Sequence, residues 1–248
     1  MQRTLGLALV IVAFSWSARA QAKPATTAPP HRAAAKPTPV DENAPDPIAI
    51  IDTTVGKMTC TLYPKKAPIG VANFIGLATG TKDWTNPTTH KKMHGVPLYD
   101  GTIFHRVIPN FMIQGGDAQG DGRGEPGYNF QNETSPDLTF DRPGRLAYAN
   151  RGPDTNGSQF FITEIPYTSL NGGYTIFGQC DDASVALVKQ IARVASDPSN
   201  NRPLRPVTIN HISIVKAGGP ATAAAPKSAA KKPATGAKAT TAPTSPPK

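Results

Sequence analysis

The spacing of β-rich runs through the middle of the chain is the strongest constraint on its fold. Strand-like stretches occupy residues 48–54, 57–62, 102–108, 111–114, 146–149, 159–163, 174–179 and 207–215, and only two helix-periodic segments fall among them. The first two stretches flank Val55-Gly56 and read as a hairpin. Residues 67–78 place Ala67, Val71, Phe74, Ile75 and Ala78 on one helical stripe, with Pro68 near its start and Gly80 beyond its end. A second helix is predicted over 183–194, carried by Val185, Leu187, Val188 and Ile191. A doubly wound sheet would alternate strand with helix. Eight clustered strands and two helices instead predict a mainly-β antiparallel barrel or sandwich. Residues 83–99 are polar and Pro-containing and read as a loop, and there is no internal repeat.

The flanks of this block differ in kind. Residues 1–20 combine Arg3, an apolar run from Leu5 to Phe14, and Ala18-Arg19-Ala20 as a small-x-small cleavage site, the pattern of a secretory signal peptide. The apolar run is shorter than the roughly 20 residues that span a bilayer, so no membrane span is expected in the mature form. Residues 21–46 and 217–248 are crowded with Ala, Pro and Thr (and, in the second, Lys), and are expected to form disordered segments because they bury too little apolar surface to offset chain entropy. One folded domain is thus expected over 47–216. Export, most naturally to a periplasm and otherwise to the secretory pathway or medium, follows from the leader pattern.

The net charge of +9 is mostly not on that domain: residues 1–20 carry two of the positive charges and residues 217–248 carry five, while residues 21–46 cancel. A balance of +2 gives no basic face for nucleic acid. The basic tail reads as a solvated tether, with contact to an anionic envelope polymer as the alternative. Cys60 and Cys180 are far apart in sequence, and Cys60 alternates with Met58 and Leu62. Export permits a disulfide, but the alternation favours two buried free thiols.

Several chemistries are excluded by pattern. Residues 122–127 (GRGEPG) match a dinucleotide fingerprint by letters, but contain Pro126 and are not followed by a helix, so they read as a Gly-rich loop. Among the five histidines there is no HExxH, and His90 with His94 lies in a polar stretch, so no metal or other cofactor is expected. Asn132 and Asn156 begin glycosylation sequons. Ser158 lacks a nucleophile elbow, and neither cysteine lies near a histidine in sequence, so hydrolysis is disfavoured.

What remains is Arg106. It follows Thr102-Ile-Phe-His105 in a strand-like run, while Phe111, Met112 and Phe161 supply apolar area and Gln114 and Asn150 supply neutral donors and acceptors. Such a set holds and polarises a neutral peptide; it has no paired acid or nucleophile with which to cleave one. The segments 104–117 (FHRVIPNFMIQGGD) and 149–163 (ANRGPDTNGSQFFIT) resemble the signature segments of the cyclophilin-type peptidyl-prolyl cis-trans isomerases. Lys65-Lys-Ala-Pro68, Tyr99-Asp-Gly-Thr-Ile103 and Ile176-Phe-Gly178 extend the likeness to residues 48–216, and the short loops resemble bacterial members.

The resemblance implies a closed eight-stranded antiparallel barrel capped by two helices, acting on proline-containing polypeptides without a cofactor, as a monomer, during folding of exported proteins. It implies Arg106 as the catalytic group and His105, Phe111, Met112, Gln114, Ala149, Asn150, Gln159, Phe161, Leu170 and Tyr174 as the substrate-binding set. Gln159 would orient Arg106, and His105 would serve as a local hydrogen-bond support. Ser169 stands where relatives often carry tryptophan, which predicts weak cyclosporin binding. Tyr174 stands where a histidine often occurs, and Arg151 replaces a small residue beside Asn150. The alternative is a non-catalytic proline-binding or chaperone module.

Overall fold

The computed structural model describes residues 41 and 43–216; the expected signal peptide, nearly all of the first low-complexity segment and the whole of the second lie outside them. The expected hairpin is formed by β1 (Ile48–Thr53) and β2 (Gly56–Leu62), with Ile48 opposite Thr61 and Thr53 opposite Gly56. Period-2 alternation sends Ala49, Ile51, Met58, Cys60 and Leu62 into the core. Helix α1 (Pro68–Thr79) begins at a proline, which loses nothing at a position whose N–H has no helical partner. It stops at Gly80, whose φ of 74° and contact with the Pro97 backbone exclude a side chain.

Residues 83–99 are not the plain loop that their polarity suggests. They contain a two-stranded ribbon of β3 (Trp84–Thr85) and β4 (Lys92–Met93) and send Trp84, Leu98 and Tyr99 into the core. The remaining elements are β5 (Arg106–Ile108), β6 (Met112–Gly115), β7 (Arg145–Tyr148), β8 (Phe160–Thr163), β9 (Ile176–Cys180), α2 (Asp182–Ala192) and β10 (Ile209–Val215). Asp181 caps α2 by accepting from the Ser184 N–H at 2.8 Å.

The eight long strands form one antiparallel sheet in the order β10-β1-β2-β9-β7-β8-β6-β5. The sheet is an open half-barrel, so the closed barrel implied by resemblance is corrected. Residues 102–108 do not run as one strand: only 106–108 keep a ladder, Ile103 makes isolated bridges to Thr208 and Asp117, and the Thr102 hydroxyl turns back to donate to the Tyr99 carbonyl at 2.6 Å. No ladder joins the edge strands β5 and β10; the segments leading into them meet through isolated bonds, Gly101 N–H to Ile209 O and Ile209 N–H to Thr102 O at 2.8 Å each and Phe104 N–H to Val207 O at 3.0 Å.

The thiol expectation is also corrected. Cys60 and Cys180 face each other across the β2–β9 ladder and are disulfide-bonded. A half-cystine alternates in a strand as any small apolar residue does, so periodicity could not separate the two states.

Both faces of β7 and β8 are covered, and every residue in them is buried. Phe160, Ile162, Leu146 and Tyr148 face the main core, where Phe160 meets Phe74, Tyr99 and Phe104 edge-on. Their neighbours Phe161 and Ala147 face the other way, into a smaller cluster with Met112, Phe140 and Ile176. That second cluster is the floor of the site.

Candidate active site

Strand register builds the site. Arg106 lies opposite Gln114, Gln114 opposite Phe161, Phe161 opposite Ala147, and Ala147 opposite Ile176. Five strands thus place a cation, an amide and an apolar platform on one rung. Beside it, the backbone turns at Asn110 with φ 58°, and Phe111 rests against Tyr167 with ring centroids 4.5 Å apart. Phe161 is stacked by Phe140 at 5.8 Å and met edge-on by Tyr174 at 5.5 Å. A cleft of about 620 Å³ opens over this floor, walled by Phe111, Met112, Phe161, Leu170 and Tyr174, with His105, Arg106, Gln114, Ala149 and Asn150 around it.

A chain of amides sets the polar side. An Arg106 guanidinium N–H donates to Gln114 Oε1 at 3.2 Å, and Gln114 Nε2 donates to Gln159 Oε1 at 3.0 Å. Gln159 Nε2 donates to the carbonyls of Gly122 and Gly124 at 3.1 and 3.0 Å. Those carbonyls are held in turn by Asp117, buried behind the loop, whose carboxylate accepts from the N–H groups of Gln119, Asp121, Gly122 and Gly124. A Cβ on Gly124 would overlap that carboxylate. Two of the three glycines in residues 122–127 thus lend their amides to a buried anion, and the third, Gly127, sits at φ 89° against Thr85.

All eleven expected site residues converge here, ten lining the cleft and Gln159 lying just beneath it. Two placements differ from the expectation. Gln159 bonds to Gln114, which bonds to Arg106, and makes no direct side-chain bond to Arg106 itself. His105 is no hydrogen-bond support: it is 6% exposed and neither ring nitrogen has a partner. Burial holds its pKa below the ordinary 6.5, partly offset by Asp117 and reinforced by Arg202 and Arg106, so the ring is neutral near pH 7. Asn150 spends its side-chain N–H on the Gly173 carbonyl at 2.9 Å, while its own backbone amide and carbonyl have no backbone partner among the described residues. Arg151 pairs with Glu125 and donates to Gly122 O at 3.1 Å, spanning a side pocket of about 60 Å³.

The family model for cyclophilin type peptidyl-prolyl cis-trans isomerases matches residues 48–214, which contain every element of this site. The chain belongs to the cyclophilin family. Peptidyl-prolyl cis-trans isomerase A of Mycobacterium tuberculosis is 50% identical over 167 residues, covering 67% of this chain and 91% of that protein. Isomerase B of Streptomyces anulatus is 47% identical over 167 residues, covering 67% and 95%. A cyclophilin type isomerase of Cryptosporidium parvum, crystallised in the presence of the dipeptide Ala-Pro, aligns with a TM-score of 0.56 at 32% identity, covering 66% of this chain and 96% of that one.

In this cyclophilin domain, the other groups singled out in the sequence lie apart from the cleft floor. The Ser158 hydroxyl is buried and donates to Gly116 O at 2.8 Å. His94 contacts Asp83 at 2.8 Å, and no group of three or more His, Cys, Asp or Glu could hold a metal among the described residues. Asn156 is fully buried with its amide bonded to Phe130 O and Asn132 Oδ1. No helix among the described residues is long and apolar enough to cross a membrane.

Sequence reading missed Asp117, Arg123, Asn200 and Arg202. For Asp117 a signal existed: an aspartate directly after Gly115-Gly116 and ahead of glycines at 120, 122 and 124 is placed to accept from a turn of backbone amides. Asn200 and Arg202 reach the cleft from a loop about ninety residues downstream, and nothing local marks them.

Proposed function

We propose that this cyclophilin accelerates rotation about Xaa-Pro peptide bonds in exported proteins, with Arg106 as its catalytic group. As a member of the family it is a peptidyl-prolyl cis-trans isomerase. The observation that carries the site assignment is the single rung joining Arg106, Gln114 and Phe161.

Resonance opposes twisting of the imide by about 18–20 kcal/mol, and unaided interconversion takes tens to hundreds of seconds. Reaching milliseconds means about five decades, or roughly 7 kcal/mol. The proline ring sits on Phe161 among Phe111, Met112, Leu170 and Tyr174, which excludes water from one side of the bond. The backbone amide and carbonyl of half-buried Asn150, without backbone partners among the described residues, hold the peptide as an added strand would, beside Ala149. Twisting frees the nitrogen lone pair, and the Arg106 guanidinium, held by Gln114, donates toward it. The interaction is stronger in the twisted state than in the planar one, so it lowers the barrier rather than merely tightening binding. An arginine is always charged and its fork is rigid, which suits a donor that must wait in position. His105 takes no proton, because rotation transfers none.

Export is supported by the leader pattern of residues 1–20 and by the Cys60–Cys180 disulfide, a bond that persists in oxidising compartments. The folding unit is taken as residues 47–216, working as a monomer. Ser169, exposed on the short turn Thr168–Leu170, offers cyclosporin no indole to pack on.

The test is isomerisation of a Xaa-Pro peptide by the wild type and Arg106→Ala. A loss of about a hundredfold or more in kcat/KM with little change in peptide Kd is expected; an unchanged rate would remove Arg106 from the mechanism.

A further inference from the structure

One end of the cleft carries groups that the isomerisation mechanism leaves idle. Arg123 and Arg202 line it with His105: Gly122, next to Arg123, packs against the His105 ring, and Arg202 lies near enough to act on its charge. Both arginines are exposed, and neither guanidinium makes a hydrogen bond or ion pair within the described chain. His105 is more than nine-tenths buried, faces the cleft, and has no partner on either ring nitrogen. A neutral imidazole always carries one N–H donor, and a buried donor without an acceptor costs about 1–3 kcal/mol unless something supplies one.

The acids nearby are already engaged. Asp117 is spent on four backbone amides. Asp121 accepts from the Arg123 N–H and from Gln119 Nε2. Asp197 accepts from Ser199 and from Asn200 Nδ2, and Glu125 is taken by Arg151. Counting the charges that line the cleft, Arg106, Arg123 and Arg202 stand against Asp121 alone. Free donors and surplus positive charge thus coincide at one end of an otherwise apolar groove, although the folded domain as a whole is nearly balanced.

We infer that the His105–Arg123–Arg202 end of the cleft receives the carboxylate of an acidic side chain next to the substrate proline, so that this isomerase selects Asp- or Glu-flanked Xaa-Pro sites. The inference rests on the isomerase reading of the same cleft. The carboxylate lies between the two guanidiniums, and a small shift of the His105 ring, whose nitrogens are covered in the unliganded cleft, lets its N–H donate as well, while the proline ring keeps its place on Phe161. Selection arises from long-range attraction as well as contact, so it weakens with salt.

The experiment uses the full mature chain and C-terminally amidated peptides in which the residue before or after proline is Glu, Gln or Lys. A Gln peptide with a free C-terminus separates a side-chain carboxylate from a terminal one. At one of the two positions, the Glu peptide should exceed the Gln peptide in kcat/KM by roughly three- to tenfold at low ionic strength, the range expected of two partly exposed ion pairs. Lys at that position should fall below Gln. Near 0.5 M salt the ratio should shrink toward about one. In Arg123→Gln/Arg202→Gln the Glu:Gln ratio should collapse, and each single variant should lie between. Equal rates for Glu and Gln at both positions, or a ratio that survives in the double variant, would overturn the inference. Wild-type turnover of the Gln peptide tests the isomerase reading separately, and the same ratios read as Kd by NMR titration decide the matter even without turnover.

Discussion

Breaking the Cys60–Cys180 bond is the perturbation whose size the structure fixes best. The two residues are 120 positions apart, so the bond closes most of the folded domain into one loop. In the chain-entropy treatment such a loop removes about 16 cal/mol/K from the unfolded ensemble, or about 5 kcal/mol at 25 °C. Domains have only about 5–15 kcal/mol in total, so the reduced protein should be marginal. The bond also sits at a seam: β2 and β9 share three rungs, Cys60–Cys180, Thr61–Gln179 and Leu62–Gly178, and they join the β10-β1-β2 part of the sheet to the rest. The assay is equilibrium urea unfolding with and without reductant, followed by the fluorescence of the core residue Trp84. With a urea slope of about 2 kcal/mol/M, the midpoint should fall by roughly 2.5 M. Cys60 and Cys180 are 0% and 2% exposed, so reductant reaches them only through unfolding and each point needs long equilibration. A midpoint shift below about 0.5 M, or two titratable thiols in the native oxidised protein, would refute the reasoning.

Other expectations concern the site. Gln159→Leu leaves the Gln114 amide and two loop carbonyls without their partner, so kcat/KM should fall about tenfold with some 1–3 kcal/mol of stability lost; unchanged kinetics would show that Gln114 holds Arg106 unaided. Phe161→Ala removes the floor, costing about 3–5 kcal/mol in unfolding experiments and raising KM far more than it lowers the stability-corrected kcat. Burial holds the His105 imidazole below 6.5, so the unfolded chain takes up its proton first as pH falls. Its stabilising contribution is therefore complete above about pH 6.5 and is lost on acidification from there. The difference in urea stability between wild type and His105→Gln should shift over pH 7 to 5 in that direction; parallel profiles would argue against it. Ser169→Trp should tighten inhibition by cyclosporin at least tenfold while peptide turnover changes little.

How much of this was legible beforehand differs by element. The hairpin and both helices were readable from a periodic buried face, and the other strands from β-rich runs, although β7 and β8 are buried on both faces and only 106–108 of the expected 102–108 forms a strand. The ribbon at 84–93 was not, since its strands are two residues long and its polarity resembles a loop. The barrel is left open where residues 101–104 meet β10 through isolated bonds and bridges rather than a ladder, which a β-rich composition does not reveal. Site residues were recognisable as residue types, but their order of action was not. That Gln159 reaches Arg106 only through Gln114 depends on cross-strand register, and the idle nitrogens of His105 depend on what fails to surround them.

The pairing of β1 with β10 carries a mechanical consequence. Ile48 lies opposite Val215 and Asp52 opposite His211, so the chain enters and leaves the domain side by side at one end of a six-rung ladder. A force drawing those two ends apart loads the rungs one at a time, as a zipper opens, instead of shearing all six together. The domain should therefore yield to axial pulling at far lower loads than its thermal resistance suggests. Held by both ends at a common anchor, it would feel almost no tension.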